Sequence, residues 1–237
     1  MRKPAAFVLA CLLLGIAADA ESRSDNTVTT REGESGRKIA VSFDRGKAWV
    51  HHMKIGGLLP IPNRPQIAVW AEDPDGRFLG TLYVTHRTAT QDWRTSNSAV
   101  RRPEALPCWA HRQGTVYEDG LPLPTKQHPL PDALTSATPK DGFTLNTIIP
   151  NSPDRILIRA ELNHSLDFNA AFPKGSMNGQ PSVIYTAEVS FSGPEEVFVM
   201  SLSGYGSPTG STGAITPDVS TLTTAKDIVR RITVRIK

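Results

Sequence analysis

Gln66-Ile67-Ala68-Val69-Trp70-Ala71-Glu72-Asp73-Pro74-Asp75-Gly76-Arg77-Phe78-Leu79-Gly80-Thr81-Leu82-Tyr83-Val84-Thr85 is the stretch whose reading decides the fold of this chain. Its first six residues form an apolar, partly β-branched run. Asp73-Pro74-Asp75-Gly76 then reads as a turn, because proline presets its own φ and glycine accepts a positive one. In the return run Phe78, Gly80, Leu82 and Val84 fall on one face, and Leu79, Thr81 and Tyr83 on the other. That is the two-residue period of a strand. The pattern predicts a β-hairpin with strands over Gln66–Ala71 and Phe78–Thr85.

The same reasoning extends in both directions. Upstream, Ile39, Val41 and Phe43 alternate with Ala40 and Ser42, and Ala48 to Met53 reads as a second strand. Gly56-Gly57, Pro60, Pro62 and Pro65 mark a loop before the hairpin. Downstream, strands are predicted over Phe143–Ile149, Arg155–Leu162, Ser182–Phe191 and Glu196–Leu202. Ser203 to Pro217 is a Gly- and Ser-rich loop. Ser220 or Thr221 caps a short helix predicted over Leu222–Val229, and Ile232, Val234 and Ile236 alternate as a last strand. Between Gln91 and Lys140 the periodicity disappears in a Pro-rich stretch, long for a structureless connection in a compact domain. The expected fold is all-β: one antiparallel β-sandwich over residues 38–237, with a long irregular loop and a short C-terminal helix.

Residues 1–20 read as a signal peptide. Arg2 and Lys3 give the positive start, Phe7 to Ile16 the short apolar core, and Ala18-Asp19-Ala20 an A-x-A cleavage site. Val8-Leu9-Ala10-Cys11 also looks like a lipobox, but cleavage there leaves most of the apolar stretch on the mature chain. The expected product is periplasmic and opens with a flexible polar arm over 21–37. No later run approaches ~18 apolar residues, so no stable membrane span is expected. The formal net charge of +3 is too weak to point to nucleic acid. Removal of the leader takes Cys11 with it and leaves Cys108 alone, so no intramolecular disulfide is expected.

Several residue groups carry chemistry worth weighing. Cys108-Trp109-Ala110-His111 has the spacing of two metal ligands, but no second pair exists, and a buried free Cys beside a packed Trp accounts for it. His51 and His52 are adjacent in a predicted strand and so point to opposite faces. Trp93, Arg94, Arg101, Arg102, Trp109, His111 and Arg112 crowd the long loop. Such a group suits a stacking surface for a ring or a protein docking patch; the other reading is a loop pinned to the sandwich by its two Trp. Glu72, Asp73 and Asp75 are explained by the turn that they flank. No G-x-S-x-G and no convincing nucleophile–His–acid set occurs.

Two resemblances add to this reading. Arg64 to Gly76, followed by Leu79, Thr81 and Leu82, resembles the opening of a bacterial family of predicted periplasmic proteins with a domain of unknown function, whose members read roughly P-Y-V-A-V-W-x-E-D-x-D-G-x-x-V-R-T-L. It implies a periplasmic β-sandwich, often associated with flavin transferases and membrane redox proteins. Asp132-Ala133-Leu134-Thr135-Ser136-Ala137-Thr138 resembles the flavinylation motif D-x-L-[ST]-G-A-T of bacterial membrane-associated redox proteins. Asp132, Leu134, Thr135, Ala137 and Thr138 match, and Ser136 stands where that motif has Gly. The resemblance implies covalent FMN on Thr138, placed there by a flavin transferase, and electron exchange with a membrane redox protein. Pro129, Pro131 and Pro139 bias the flanks toward extended geometry, and Thr138, preceding a proline, should itself be extended. The alternative function is a cofactor-free periplasmic binding or accessory module.

Overall fold

The computed structural model describes residues 26–53, 60–91, 93, 101–175 and 178–237. The expected signal peptide and cleavage site, and Arg94, lie outside them. The first strands are β1 (Thr27–Thr29), β2 (Arg37–Arg45), β3 (His51–Met53), β4 (Ile61–Asn63), β5 (Gln66–Glu72), β6 (Phe78–Thr85) and β7 (Thr135–Ser136). There follow β8 (Phe143–Ile149), β9 (Arg155–Asn163), β10 (Val183–Ser190), β11 (Val197–Val199), β12 (Ser201–Tyr205) and β13 (Val229–Ile236). One sheet has the order β1-β8-β2-β13-β11 and a second the order β12-β10-β9-β5-β6-β7, with β3 and β4 forming a separate ribbon. The pairings are antiparallel except β1 with β8 and β6 with β7. This is the expected all-β sandwich. The predicted hairpin is β5–β6, with Asp73 Oδ1 accepting the Asp75 and Arg77 amides across the turn.

Strand parity explains the core. Ile39, Val41 and Phe43 of β2 and Ile232 and Val234 of β13 point inward and are buried against Val69, Ile158, Ala160 and Leu162 of the opposite sheet. Phe43 and Phe143 stack with centroids 4.7 Å apart. A second cluster lies on the other face of the six-stranded sheet, where Ala68, Trp70, Val84 and Ile184 meet Leu106, Trp109, Ala110 and Leu123. The long Pro-rich stretch is therefore a covering layer. That is why β5 is buried along its whole length, as expected of a strand covered on both faces. Within this layer, the expected irregular loop carries α1 (His86–Thr90) at its entrance and α2 (Pro107–Arg112) with proline at its start. Both are too short to show a helical period.

Three expectations need correction. The stretch read as a flexible arm over 21–37 includes β1, and Thr30 behind it is buried, donating to the Leu82 carbonyl at 2.7 Å. The predicted strand over Glu196–Leu202 is two strands in different sheets, parted at buried Met200, whose amide binds the Ile232 carbonyl. The predicted helix over Leu222–Val229 is a single 3-10 turn, Thr224–Asp227, and Val229 already belongs to β13. The carbonyls of Asp227 and Ile228 accept the amides of Ala48 and Gly46. The turn ends where Val229 takes extended geometry to enter the ladder opposite Arg45.

Candidate functional site

The Asp132–Thr138 segment runs along an edge of the six-stranded sheet. Pro131 precedes a 3-10 turn over Asp132–Leu134, closed by the Leu134 amide on the Pro131 carbonyl at 3.0 Å. Thr135 and Ser136 then pair in parallel with Val84 and Thr85. The two-residue ladder leaves their other side unpaired among the described residues. The Leu130 amide is held by the Ala89 carbonyl, and the Arg31 amide donates to the Ala133 carbonyl. Pro139 is buried and anchors the far end. Between these anchors Ala137 is exposed and Thr138 half-buried. Among the described residues the Thr138 hydroxyl has no hydrogen-bond partner, whereas Thr135 and Ser136 donate to backbone carbonyls at 3.4 Å. The segment is thus clamped at both ends and reachable in the middle.

Among the described residues, the aromatic and Arg group does not assemble into one open surface. Trp109 is wholly buried, with its indole N–H on Thr81 Oγ1 at 3.0 Å. Trp93 is also buried and donates to Gln91 Oε1, with Arg102 over its ring at 4.9 Å. The ring faces expected for stacking a ligand are spent on packing. Arg101 is tied to Asp119 and the Leu123 carbonyl, His111 to the Gly210 carbonyl, and Arg112 to Glu72 and the Gly76 carbonyl. Trp109 packs against the face of the six-stranded sheet, whereas Trp93 is held by Gln91 and Arg102.

Beneath α2 lies a buried acid that the sequence reading passed over. Glu161 of β9 is fully buried and accepts the Cys108 amide (3.2 Å), the Trp109 amide (2.8 Å) and the Ser182 hydroxyl (2.6 Å). It thereby satisfies amides at the start of α2 that have no partner within the helix. Burial pushes its carboxyl up to about 7, the three hydrogen bonds offsetting part of that rise. Burial also raises the neighbouring Cys108 thiol far above its ordinary value, so Cys108 is an inert packing residue. Glu72 proves to be more than a turn flank. It is fully buried and holds Arg159 at 2.7 Å, Arg112 at 3.5 Å and the Trp70 indole at 2.8 Å. Parity places Glu161 on the face of β9 turned away from Ile158, Ala160 and Leu162, where an acid reads as solvent-exposed, so the sequence carried no signal for its burial.

A polar cavity of about 410 Å³ opens beside β3, lined by Lys47, His51, His52, His164, Asp167 and Asp227 among others. Asp167 is buried and accepts the Thr224 hydroxyl and the Gln180 amide, with His51 Nδ1 3.8 Å away. His164 is buried, and desolvation lowers it to about 4 despite its bond to the Ala48 carbonyl. No group of three or more His, Cys, Asp or Glu among the described residues is placed to hold a metal ion, and no helix among them is long and apolar enough to cross a membrane. His51 and His164 lie over a hundred positions apart, so their meeting left no trace in the sequence. No protein-family model, no curated protein and no solved structure matches this chain.

Proposed function

We propose that this chain is a periplasmic flavin carrier whose Thr138 accepts FMN from a flavin transferase and which exchanges electrons with a membrane redox protein. The observation that carries this reading is the clamped, edge-lying segment with Thr138 half-exposed and its hydroxyl free among the described residues. A transferase needs an extended, accessible acceptor, and a rigid scaffold presenting a short loop supplies one. Small Ala133, Ser136 and Ala137 flank the acceptor on one side and Pro139 stiffens the other. Attachment requires an activated flavin donor. The Thr138 oxygen forms a bond to the phosphoryl group of a flavin dinucleotide, the anhydride bond breaks, a nucleoside monophosphate leaves, and the hydroxyl proton passes to the transferase. When bound, FMN supplies the redox chemistry, and the chain positions it. With Trp93 and Trp109 buried, the ring is tethered rather than stacked on the loop.

Co-expression with a flavin transferase, followed by intact mass measurement and in-gel flavin fluorescence after denaturation, tests the reading. The wild type should gain one FMN and Thr138→Ala none. Absence of covalent flavin on the wild type, or its retention in Thr138→Ala, would refute it. The second reading, a cofactor-free binding module, draws its support from the polar cavity beside β3, and failure of labelling would leave it standing.

A further inference from the structure

We infer that the outer face of the five-stranded sheet docks this protein onto an anionic lipid surface. The inference stands apart from the flavin reading. Paired residues in a sheet share a face, so register and parity identify what faces outward. Ile39, Val41 and Phe43 are buried inside, which turns Lys38, Ala40, Ser42 and Asp44 outward. Asp44 pairs with Arg231, Ser42 with Thr233 and Ala40 with Arg235, and Lys237 binds the Lys38 carbonyl at the strand end. Arg230 sits in the bulge beside Arg231. The outer face thus presents five cations, all exposed, against one carboxylate. Asp44 lies within 3.6 Å of Arg230 and 3.1 Å of Arg231 and offsets one of them. The five strands of this sheet contain no other acidic residue.

The face is more than a basic patch. Its middle is built from short side chains, Ala40, Ser42, Thr144 and Thr233, so the long cationic chains surround a low centre. On its edge Val199 pairs with Thr233 and is 60% exposed, while Val197 pairs with Arg235 and is half-buried. Val199 therefore lies on the same face, between the levels of Arg231 and Arg235. Guanidinium groups match phosphate oxygens geometrically, and an apolar side chain among them gains nothing from a soluble polyanion. A bilayer interface receives both, since charge meets the headgroups and the apolar group enters the acyl boundary. The charge and apolar pattern together select an anionic membrane over an acidic polymer.

The test is sedimentation of the protein with vesicles of phosphatidylcholine alone and of phosphatidylcholine containing one-third phosphatidylglycerol. Binding is expected only to the anionic vesicles, and to weaken steeply as salt rises. Each cation near an anionic surface is worth about 1 kcal/mol, about fivefold in partitioning, so Arg231→Gln with Arg235→Gln should lower it roughly 25-fold. Val199→Ser, which removes the apolar group without adding charge, should lower it several-fold while leaving binding to dextran sulfate unchanged. Thr138→Ala, which abolishes the proposed flavin attachment, should leave vesicle binding as in the wild type. Far-UV circular dichroism verifies that these surface variants are folded. Equal binding to neutral vesicles, no loss in the double Arg variant, or binding to dextran sulfate without binding to anionic vesicles would each overturn the proposal.

Discussion

Stability should depend on pH through two buried groups of opposite sign, Glu161 and His164. Glu161 rises from its ordinary 4.5 to about 7 on folding, chiefly through desolvation. Between those values the folded state binds the extra proton, so Glu161 favours folding below pH 4.5 and loses that contribution as pH climbs through 7. His164 falls from 6.5 to about 4, again chiefly through desolvation. Between those values the unfolded state binds the extra proton, so the His164 contribution is present above pH 6.5 and is lost as pH drops through 4. At 1.36 kcal/mol per unit, each shift corresponds to about 3 kcal/mol. The windows overlap from pH 4.5 to 6.5, where the two slopes oppose each other; Glu104, also raised above its ordinary 4.5 by burial, adds a downward slope that the wild type and both variants share. Removing either group uncovers the other. Glu161→Gln should gain about 3 kcal/mol in stability from pH 4 to 6.5, and His164→Gln should lose about 3 kcal/mol from pH 4.5 to 7. Each substitution also disturbs a hydrogen bond, but that moves the whole curve vertically and leaves its slope alone. Asp73 and Asp218, both held below their ordinary 3.8 by backbone hydrogen bonds, tilt the profile only at lower pH. The assay is urea unfolding at half-unit steps from pH 4 to 8, with constant m-values confirming that slopes report stability. Variant profiles that run parallel to the wild type would refute the reasoning.

Trp109→Ala should cost about 3–5 kcal/mol in urea unfolding and loosen the covering layer, since a wholly buried indole and its bond to Thr81 are lost together. Glu72→Ala should cost about 3–5 kcal/mol, because it strands the largely buried Arg159 guanidinium without its partner; Glu72→Ala with Arg159→Met should recover much of that loss, and no recovery would count against the ion-pair account. Gly204→Ala should cost about 1–3 kcal/mol, since a Cβ there falls 2.3 Å from the Thr216 carbonyl oxygen on a backbone with φ of +149°. Ser136→Gly should preserve or raise flavin labelling, since glycine stands at that place in the motif that Asp132–Thr138 resembles; reduced labelling of a folded variant would break that analogy.

Local pattern sufficed wherever an element's period matched its burial. The β5–β6 hairpin declares itself because Asp73–Gly76 sets its own turn, and β2 and β13 alternate because each faces core on one side and solvent on the other. The edge position of Asp132–Thr138 was half-legible, since the prolines spelled out an extended segment, but its pairing beside Val84 and Thr85 was not. Tertiary structure alone decided the rest. The described residues from 101 to 130 showed no period because they cover the face of another sheet rather than building one, and Trp109 is consumed in that packing. Glu161 needed α2 above it, and the Leu222–Val229 stretch is cut to a single turn because Val229 is drawn into the ladder opposite Arg45. A single strand's period records which side of it is buried. It holds no record of which distant segment does the burying, and the buried acids, the polar cavity and the basic sheet face all depend on that partner.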